Sequence, residues 1–239
     1  MSYAMKKYNF KNYYKRIQSA YDNRLNQFKP HIFKLTLLIM FFVFTFISLS
    51  VYLHPEGSRF SFHFFMEEGS ISILSTTNLI TASFFSFASF LIAPSEGKYR
   101  KIFFLVVTFA LTYLALDEVF HFHETIGDSL DHTGFLKIIF AKTAIRRWND
   151  LIIILYGVVA LPVVFFFLPT VIQFPYVAEN FLIAFLFYVA HTAIDAVVEP
   201  PTTPSYIIEE SAKLLTSTFL ALGSFAGWKF LINSRTKNS

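Results

Sequence analysis

The chain has 239 residues, of which 54% are hydrophobic, 19% aromatic and only 15% charged, and its mean hydropathy is +0.51. Because soluble domains carry roughly a quarter charged residues, this composition excludes an ordinary soluble domain. The net charge of +4 does not indicate nucleic-acid binding, since the basic residues flank apolar runs. The absence of cysteine excludes disulfides, thiolate nucleophiles and cysteine metal ligands.

Six apolar runs are close to the ~20 residues that cross the hydrocarbon core of a bilayer. They are continuously apolar rather than alternating, which favours helices over the strands of a barrel. The sequence therefore predicts an all-α polytopic bundle of about six transmembrane helices, formed by residues 32–233. The predicted spans are Ile32–Leu53, Glu67–Ala93, Ile102–His121, Leu151–Leu168, Phe181–Val198 and Tyr206–Ile232.

Lys and Arg predict the orientation. Most of the 20 basic residues lie before the first span, between the second and third, or in the tail, and six spans return the tail to the N-terminal side. The positive-inside rule then predicts both termini in the cytoplasm, in a bacterial inner membrane. Residues 1–31 have apolar side chains at helical spacing with basic ones between them, which indicates an amphipathic helix on the membrane or on a partner protein. Residues 234–239 form a cytoplasmic tail.

Most of the 16 acidic residues fall on the opposite, outer side. Loop carboxylates need no special explanation there, but a charged, unpaired group inside a span costs at least ~2.5 kcal/mol. His191 lies about 15 Å into the fifth span at 1.5 Å per residue, and Asp195 follows one turn later on the same face. These residues indicate a functional site. The structural alternative is a neutral His191 bonded to a neighbouring helix and an interfacial Asp195.

The third span ends in a polar stretch. Four of its polar residues are spaced four, three and four positions apart: Asp117, His121, Glu124 and Asp128. They share one face if the helix continues, and a carboxylate and an imidazole one turn apart are a common ligand pair for zinc or iron. Glu118 and His123 would then lie on the opposite face. The structural alternative places Glu118, His123 and Asp128 beyond the span as interfacial residues.

Two further spans begin with acid pairs, Glu67 with Glu68 and Glu209 with Glu210. Acids in the first turn of a helix are stabilised by its dipole, which explains one member of each pair without a function. Lys213 lies deeper in the sixth span and needs a carboxylate partner, and Glu209 is the predicted one because it precedes Lys213 by four residues.

Four spans thus place titratable groups in the outer half of the membrane, which predicts a shared polar cavity open to the outside. A metal ion there would neutralise several carboxylates at once. Zinc is the predicted cofactor, and iron is less favoured because a diiron bundle needs two Glu-x-x-His motifs. The predicted metal ligands are Asp117, His121, His191 and Asp195. The predicted general bases are Glu124 and Glu118. The remaining predicted lining residues are Glu67, Glu68, Glu209, Glu210 and Lys213.

The chain resembles a group of uncharacterised bacterial multi-pass proteins through three motifs: Leu116-Asp117-Glu118 followed by His123-Glu124, the early Glu67-Glu68, and the late Glu209-Glu210. More distantly, it resembles the alkaline ceramidase and adiponectin-receptor-like membrane hydrolases. Those are seven-span bundles with a zinc on three histidines that activates water against a lipid amide. The resemblance implies that Asp117 or His121 matches an early ligand. It also matches His191 to the first histidine of a late pair, in which Asp195 replaces the second.

Three functions agree with these patterns. The first is a zinc-dependent hydrolase of a lipid amide or ester, in which the metal lowers the pKa of a bound water. The second is a proton or cation transporter, although Glu179 is the one acid near a span in the inner half. The third is a non-catalytic subunit of a larger membrane complex. The expected partners are membrane lipids, a lipid substrate or complex subunits, and not nucleic acid.

Overall fold

In a computed structural model of the chain, the described residues are 14–15, 17–19, 30–53, 65, 69–94, 98–132, 148–197 and 203–236, and no strand occurs among them. The helices are α1 Pro30–Tyr52, α2 Ser70–Ile92, α3 Lys98–Phe120, α4 Phe122–Asp131, α5 Trp148–Val171, α6 Val177–Val197 and α7 Thr203–Arg235. The predicted all-α class is therefore confirmed.

Six of these helices, all except α4, are long and apolar enough to cross a membrane. They correspond one to one to the predicted spans, with ends shifted by a few residues, and the chain is a multi-pass integral membrane protein. Glu67 and Glu68, predicted to open the second span, lie outside the described residues. Of the predicted N-terminal amphipathic helix, residues 14–15 and 17–19 are described and are helical. The tail is described to residue 236.

The central helix of the bundle is α7, which packs along both α2 and α6. Its apolar stretch is 56% buried, whereas that of α1 is 6% buried. Large apolar side chains of α1, such as Phe41 and Phe42, point away from the other helices. This is the expected surface of a helix in lipid, because acyl chains are as apolar as leucine.

Small side chains let α2 and α7 approach closely. Apart from Ile71, the buried positions of α2 recur at steps of three and four: Ser72, Ser75, Leu79, Ala82, Ser86 and Ser89. Asn78 Nδ2 donates to Thr218 Oγ1 at 3.0 Å, and Ser86 Oγ donates to Ser224 Oγ at 3.1 Å. Small residues and interhelical hydrogen bonds hold helices together within lipid, so this seam fixes two of the helices that carry the site described below.

Aromatic rings fill one end of the bundle. Phe103 and Phe104 of α3 meet Phe167 of α5 and Phe174 of the loop before α6, and we call these four the aromatic cluster. Ring centroids lie 5.6 Å apart for Phe103 and Phe167 and 5.2 Å apart for Phe104 and Phe174. Tilted and edge-on pairs at such distances are favourable beyond their buried area. The aromatic cluster therefore closes this end of the bundle.

The opposite end contains a break that the sequence pattern did not predict. His121 has a φ of 50°, in the left-handed region, so α3 ends at Phe120 and α4 begins at Phe122. The helix therefore does not continue from Asp117 to Asp128, and the condition under which these residues would share one helical face is not met. Gly127 of α4 lies against the start of α5, where a Cβ would come within 2.6 Å of the backbone nitrogen of Asn149. Glycine permits this close approach.

Candidate functional site

A cavity of about 390 Å³ lies among α2 to α7, at the end of the bundle where α3 meets α4. Every predicted site residue that the structure describes lines it: Asp117, Glu118, His121, Glu124, His191, Asp195, Glu209, Glu210 and Lys213. The sequence predicted that titratable side chains from four spans meet in one cavity. The structure shows this for the third, fifth and sixth spans. Glu67 and Glu68, the predicted contribution of the second span, lie outside the described residues. The volume falls within the ~300–1,000 Å³ typical of small-molecule sites.

The junction of α3 and α4 is organised by Asp117. Its Oδ1 accepts a hydrogen bond from the backbone N–H of His123 at 2.9 Å, and its Oδ2 lies 2.8 Å from Nδ1 of the His123 ring. The first N–H groups of a helix have no partner within the helix, and the N-cap residue His121 supplies no side-chain cap. Asp117 therefore caps α4 from the preceding helix and orients an imidazole at the same time.

Glu124 lies between two histidines. Its Oε1 is 3.2 Å from Nδ1 of His121 and 3.6 Å from Nε2 of His123. Burial lowers the pKa of His123, but the hydrogen bond and charge of Asp117, together with the charge of Glu124, outweigh that effect and raise this pKa above its ordinary value of 6.5. The α3–α4 junction can therefore accept and hold protons at the wall of the cavity.

Lys213 is paired with two carboxylates from different helices. Its Nζ lies 2.8 Å from Oε1 of Glu118 on α3 and 3.5 Å from Oε1 of Glu210 on α7. Ser72 of α2 donates to the other oxygen of Glu210 at 3.3 Å. The sequence predicted Glu209 as the partner of Lys213, whereas these two contacts are made by Glu118 from the facing helix and by Glu210. Glu118, predicted as a general base, is held in this ion pair.

His191 lies across the cavity on α6. Its Nδ1 has no hydrogen-bond partner among the described residues, and the distance to Oε1 of Glu209 is 3.9 Å, beyond hydrogen-bond range. Asp195 follows His191 by one turn and lines the same cavity. The predicted functional pair on this span therefore faces the other titratable residues rather than lipid.

The four predicted metal ligands share the cavity but do not form a preassembled metal site. Within the part of the chain that the structure describes, no group of three or more His, Asp or Glu side chains is arranged to hold a metal ion. Asp117 uses both oxygens on His123. Zinc binding by these residues stays a prediction.

Sequence reasoning missed several lining residues, among them His123, Asp150, Tyr156 and Tyr188. Asp150, in the first turn of α5, is only 3% exposed. The hydroxyl of Tyr188 donates to the carbonyl of Ile153 and so links α6 to α5. A polar residue in the first turn of an apolar span, as at Asp150, was the available signal. No sequence signal marked Tyr156 and Tyr188 as lining residues, because tyrosine is common in membrane helices at either interface.

The match to known protein families covers most of the chain. The family model described as "Domain of unknown function (DUF8692)" matches residues 32–226. The chain belongs to this family. No curated protein and no solved structure matches the chain.

The DUF8692 region runs from α1 into α7, and all the lining residues of the cavity fall inside it. The cavity is thus part of the family domain rather than of the flanking segments. Its described lining includes eight Asp or Glu side chains, three histidines and a single lysine. Carboxylates in such excess need protons, cations or hydrogen-bond donors nearby, because like charges in a membrane protein are costly to hold together.

Proposed function

We propose that the protein is a membrane-embedded hydrolase that cleaves a lipid amide or ester in this cavity. The observation that carries the proposal is the cavity itself, in which an Asp–His pair and a second histidine–glutamate contact line a space large enough for a lipid head group. Hydrolysis needs side chains that accept and donate protons next to the bound substrate, and these residues lie on the cavity wall. Because the walls belong to transmembrane helices, the acyl chains of a substrate can remain in the bilayer.

The shape of the bundle favours chemistry over transport. The aromatic cluster lies at the other end of the same helices, and its rings are closely packed. In the α2–α7 seam, Ser86 donates to Ser224, and Ser89 and Thr218 donate to the backbone of their own helices. A transport pathway would need accessible polar groups on both sides of the membrane, and the carboxylates and histidines of the cavity lie at one end of the bundle.

We also propose the orientation that the basic residues predict, with both termini in the cytoplasm and the cavity toward the outside of a bacterial inner membrane. The chain contains no cysteine, so a single introduced cysteine reports its side without interference. Ser129→Cys on the exposed face of α4 should react with a membrane-impermeant maleimide added outside intact cells. Labelling of this variant only after lysis would reverse the orientation.

The test of activity uses purified protein in mixed micelles with fluorescent long-chain amides and esters, and it measures release of the fatty acid. Asp117→Asn and His191→Gln should reduce hydrolysis. Ser129→Ala and His132→Gln are the matched controls, because both residues lie in or next to α4 but do not line the cavity. Equal activity in all four variants, or none in the wild-type protein with any amide or ester, contradicts the proposal. Ion flux in proteoliposomes without hydrolysis would favour a transporter.

Metal analysis of the same preparations decides how water is activated. Zinc at one ion per chain, lost in His191→Ala and Asp117→Ala, would assign activation to the metal. Purified protein that is active without metal, and is unaffected by chelators, would assign it to an imidazole or a carboxylate. Both results leave the hydrolase proposal in place, but they support different residues as its chemical centre.

A further inference from the structure

Asp117 contacts His123 twice, and the two contacts have different chemical requirements. Oδ1 accepts the backbone N–H of His123 at 2.9 Å, and Oδ2 lies 2.8 Å from Nδ1 of the ring. An ionised carboxylate only accepts hydrogen bonds. Nδ1 of a neutral His123 must therefore carry the proton, and Nε2 must carry the lone pair. The side chain of Asp117 is 8% exposed, so little water competes for these contacts.

The other ring nitrogen of His123, Nε2, lies near Glu124. Nε2 lies 3.6 Å from Oε1 of Glu124, farther than a direct hydrogen bond. That oxygen is itself 3.2 Å from Nδ1 of His121. All these residues line the cavity, so Nε2 can accept a hydrogen bond from a water molecule or from a substrate held there.

We propose that His123 is the general base of this site and that Asp117 is its positioning residue. The assignment rests on the proposed hydrolase function. It differs from the expectation that Asp117 binds zinc and that Glu118 or Glu124 accepts the proton. Glu118 is already paired with Lys213 at 2.8 Å, and Asp117 with His123.

In the reaction, the oxygen of a water molecule attacks the carbonyl carbon of the lipid amide or ester, and the proton that the water loses moves to Nε2 of His123. The new C–O bond forms as the carbonyl π electrons move to oxygen. When the tetrahedral intermediate collapses, the bond to the leaving nitrogen or oxygen breaks. The proton on Nε2 then passes to that leaving atom, and the products are a fatty acid and an amine or alcohol. Water is the single co-reactant.

Asp117→Asn separates the two contacts. The asparagine side chain has one accepting oxygen and one donating NH₂ group. To keep the cap on α4, its oxygen must face the backbone N–H of His123, which can only donate. The NH₂ group then faces Nδ1, and this requires Nδ1 to be unprotonated. The variant should therefore keep α4 folded but move the ring proton to Nε2, which removes the lone pair needed by a base.

The tautomer is measured by ¹⁵N NMR of histidine-labelled protein, at a pH well above the imidazole pKa. His123→Gln identifies the signals of His123, and His132→Gln serves as the control variant outside the cavity. We expect protonated Nδ1 and bare Nε2 in the wild type, and the opposite in Asp117→Asn. Hydrolysis per folded molecule should fall about 100-fold or more in Asp117→Asn and in His123→Gln, the range for loss of a general base.

A wild-type ring that is protonated on Nε2, or an unchanged tautomer in Asp117→Asn, would overturn the positioning role. The expected tautomers with full hydrolysis in His123→Gln would overturn the role of His123 as base. The expected tautomers in a protein that hydrolyses no lipid would support the positioning role and contradict the hydrolase function. The two proposals can therefore fail separately.

Discussion

The two ends of the bundle are made by the same helices but are held together by different contacts. At one end, the aromatic cluster packs ring against ring. At the other end, side chains of α3, α4 and α7 meet through ion pairs and charge-assisted hydrogen bonds around a cavity. The cavity end also contains the helix break at His121 and the short helix α4, so the two ends differ in backbone as well as in side-chain chemistry. The aromatic end is closely packed, whereas the cavity end leaves a space lined by charged and polar side chains.

The largest expected effect lies at the aromatic end. Phe104, which is 1% exposed, contacts both Phe103 and Phe174. Phe104→Ala should lower the free energy of unfolding by about 3–5 kcal/mol, the usual cost of truncating a buried phenylalanine. Unfolding in detergent measures this loss, and hydrolysis per folded molecule should stay at the wild-type level. Phe109→Ala on the same helix is the control, because Phe109 is 68% exposed. Equal losses in both variants would show that the aromatic cluster does not hold this end together.

The second prediction concerns the ion pairs of the cavity end. Lys213→Met should destabilise the protein by about 3 kcal/mol, because removing one partner leaves buried carboxylates without compensation. The same substitution combined with Glu118→Gln and Glu210→Gln should recover much of the loss, since no uncompensated charge remains. Unfolding of the single and triple variants measures the difference. A triple variant that is less stable than Lys213→Met would mean that the carboxylates stabilise the bundle in another way.

The transmembrane architecture was predictable because each span is a continuous apolar run of bilayer length, a signal contained within one stretch of sequence. The partner of Lys213 was not predictable in this way. Within the sequence, Glu209 and Glu210 both precede Lys213 at helical spacing, but Glu118 comes from a helix almost a hundred residues earlier. Which of two carboxylates reaches an ammonium depends on how the helices are packed, and periodicity contains no information on that.

The helix break at His121 was also not predictable from helical periodicity. No glycine or proline marks it, and the group that caps α4 is Asp117, four residues before the break rather than at the N-cap. Continuing the helix through His121 placed His123 on the face opposite Asp117. The left-handed residue brings them together instead. A sequence pattern could therefore identify the polar stretch but not the pair formed within it.

The third prediction tests how the cavity end is shaped by packing. Gly127→Ala would place a Cβ against the backbone of Asn149, and forcing α4 away from α5 should cost about 1–3 kcal/mol. Hydrolysis should also fall, because α4 carries His123 and Glu124. Ser129→Ala is the control on the exposed side of α4. If Gly127→Ala is as stable and active as wild type, then contact between α4 and α5 does not set the geometry of the cavity.

The smallest effect expected is a pH dependence from His123. This ring faces Asp117 from α3, Glu124 from α4 and Lys213 from α7, and the net result is a pKa above 6.5 in the folded protein. A group whose pKa is raised by folding stabilises the native state fully below its unfolded pKa, and it loses that contribution as the pH rises through its folded pKa. Wild-type stability should therefore decrease from pH 6.5 upward relative to His123→Gln.

Unfolding in detergent across this pH range measures the difference between the two proteins, and His132→Gln is the control because its curve should follow wild type. A difference that instead grows with rising pH would mean that burial outweighs Asp117 and that folding lowers the His123 pKa. That result would separate two roles of the carboxylate, since Asp117 could still fix the ring tautomer without stabilising its charged form. Charge would stabilise the cavity end through Lys213, and His123 would contribute reactivity alone.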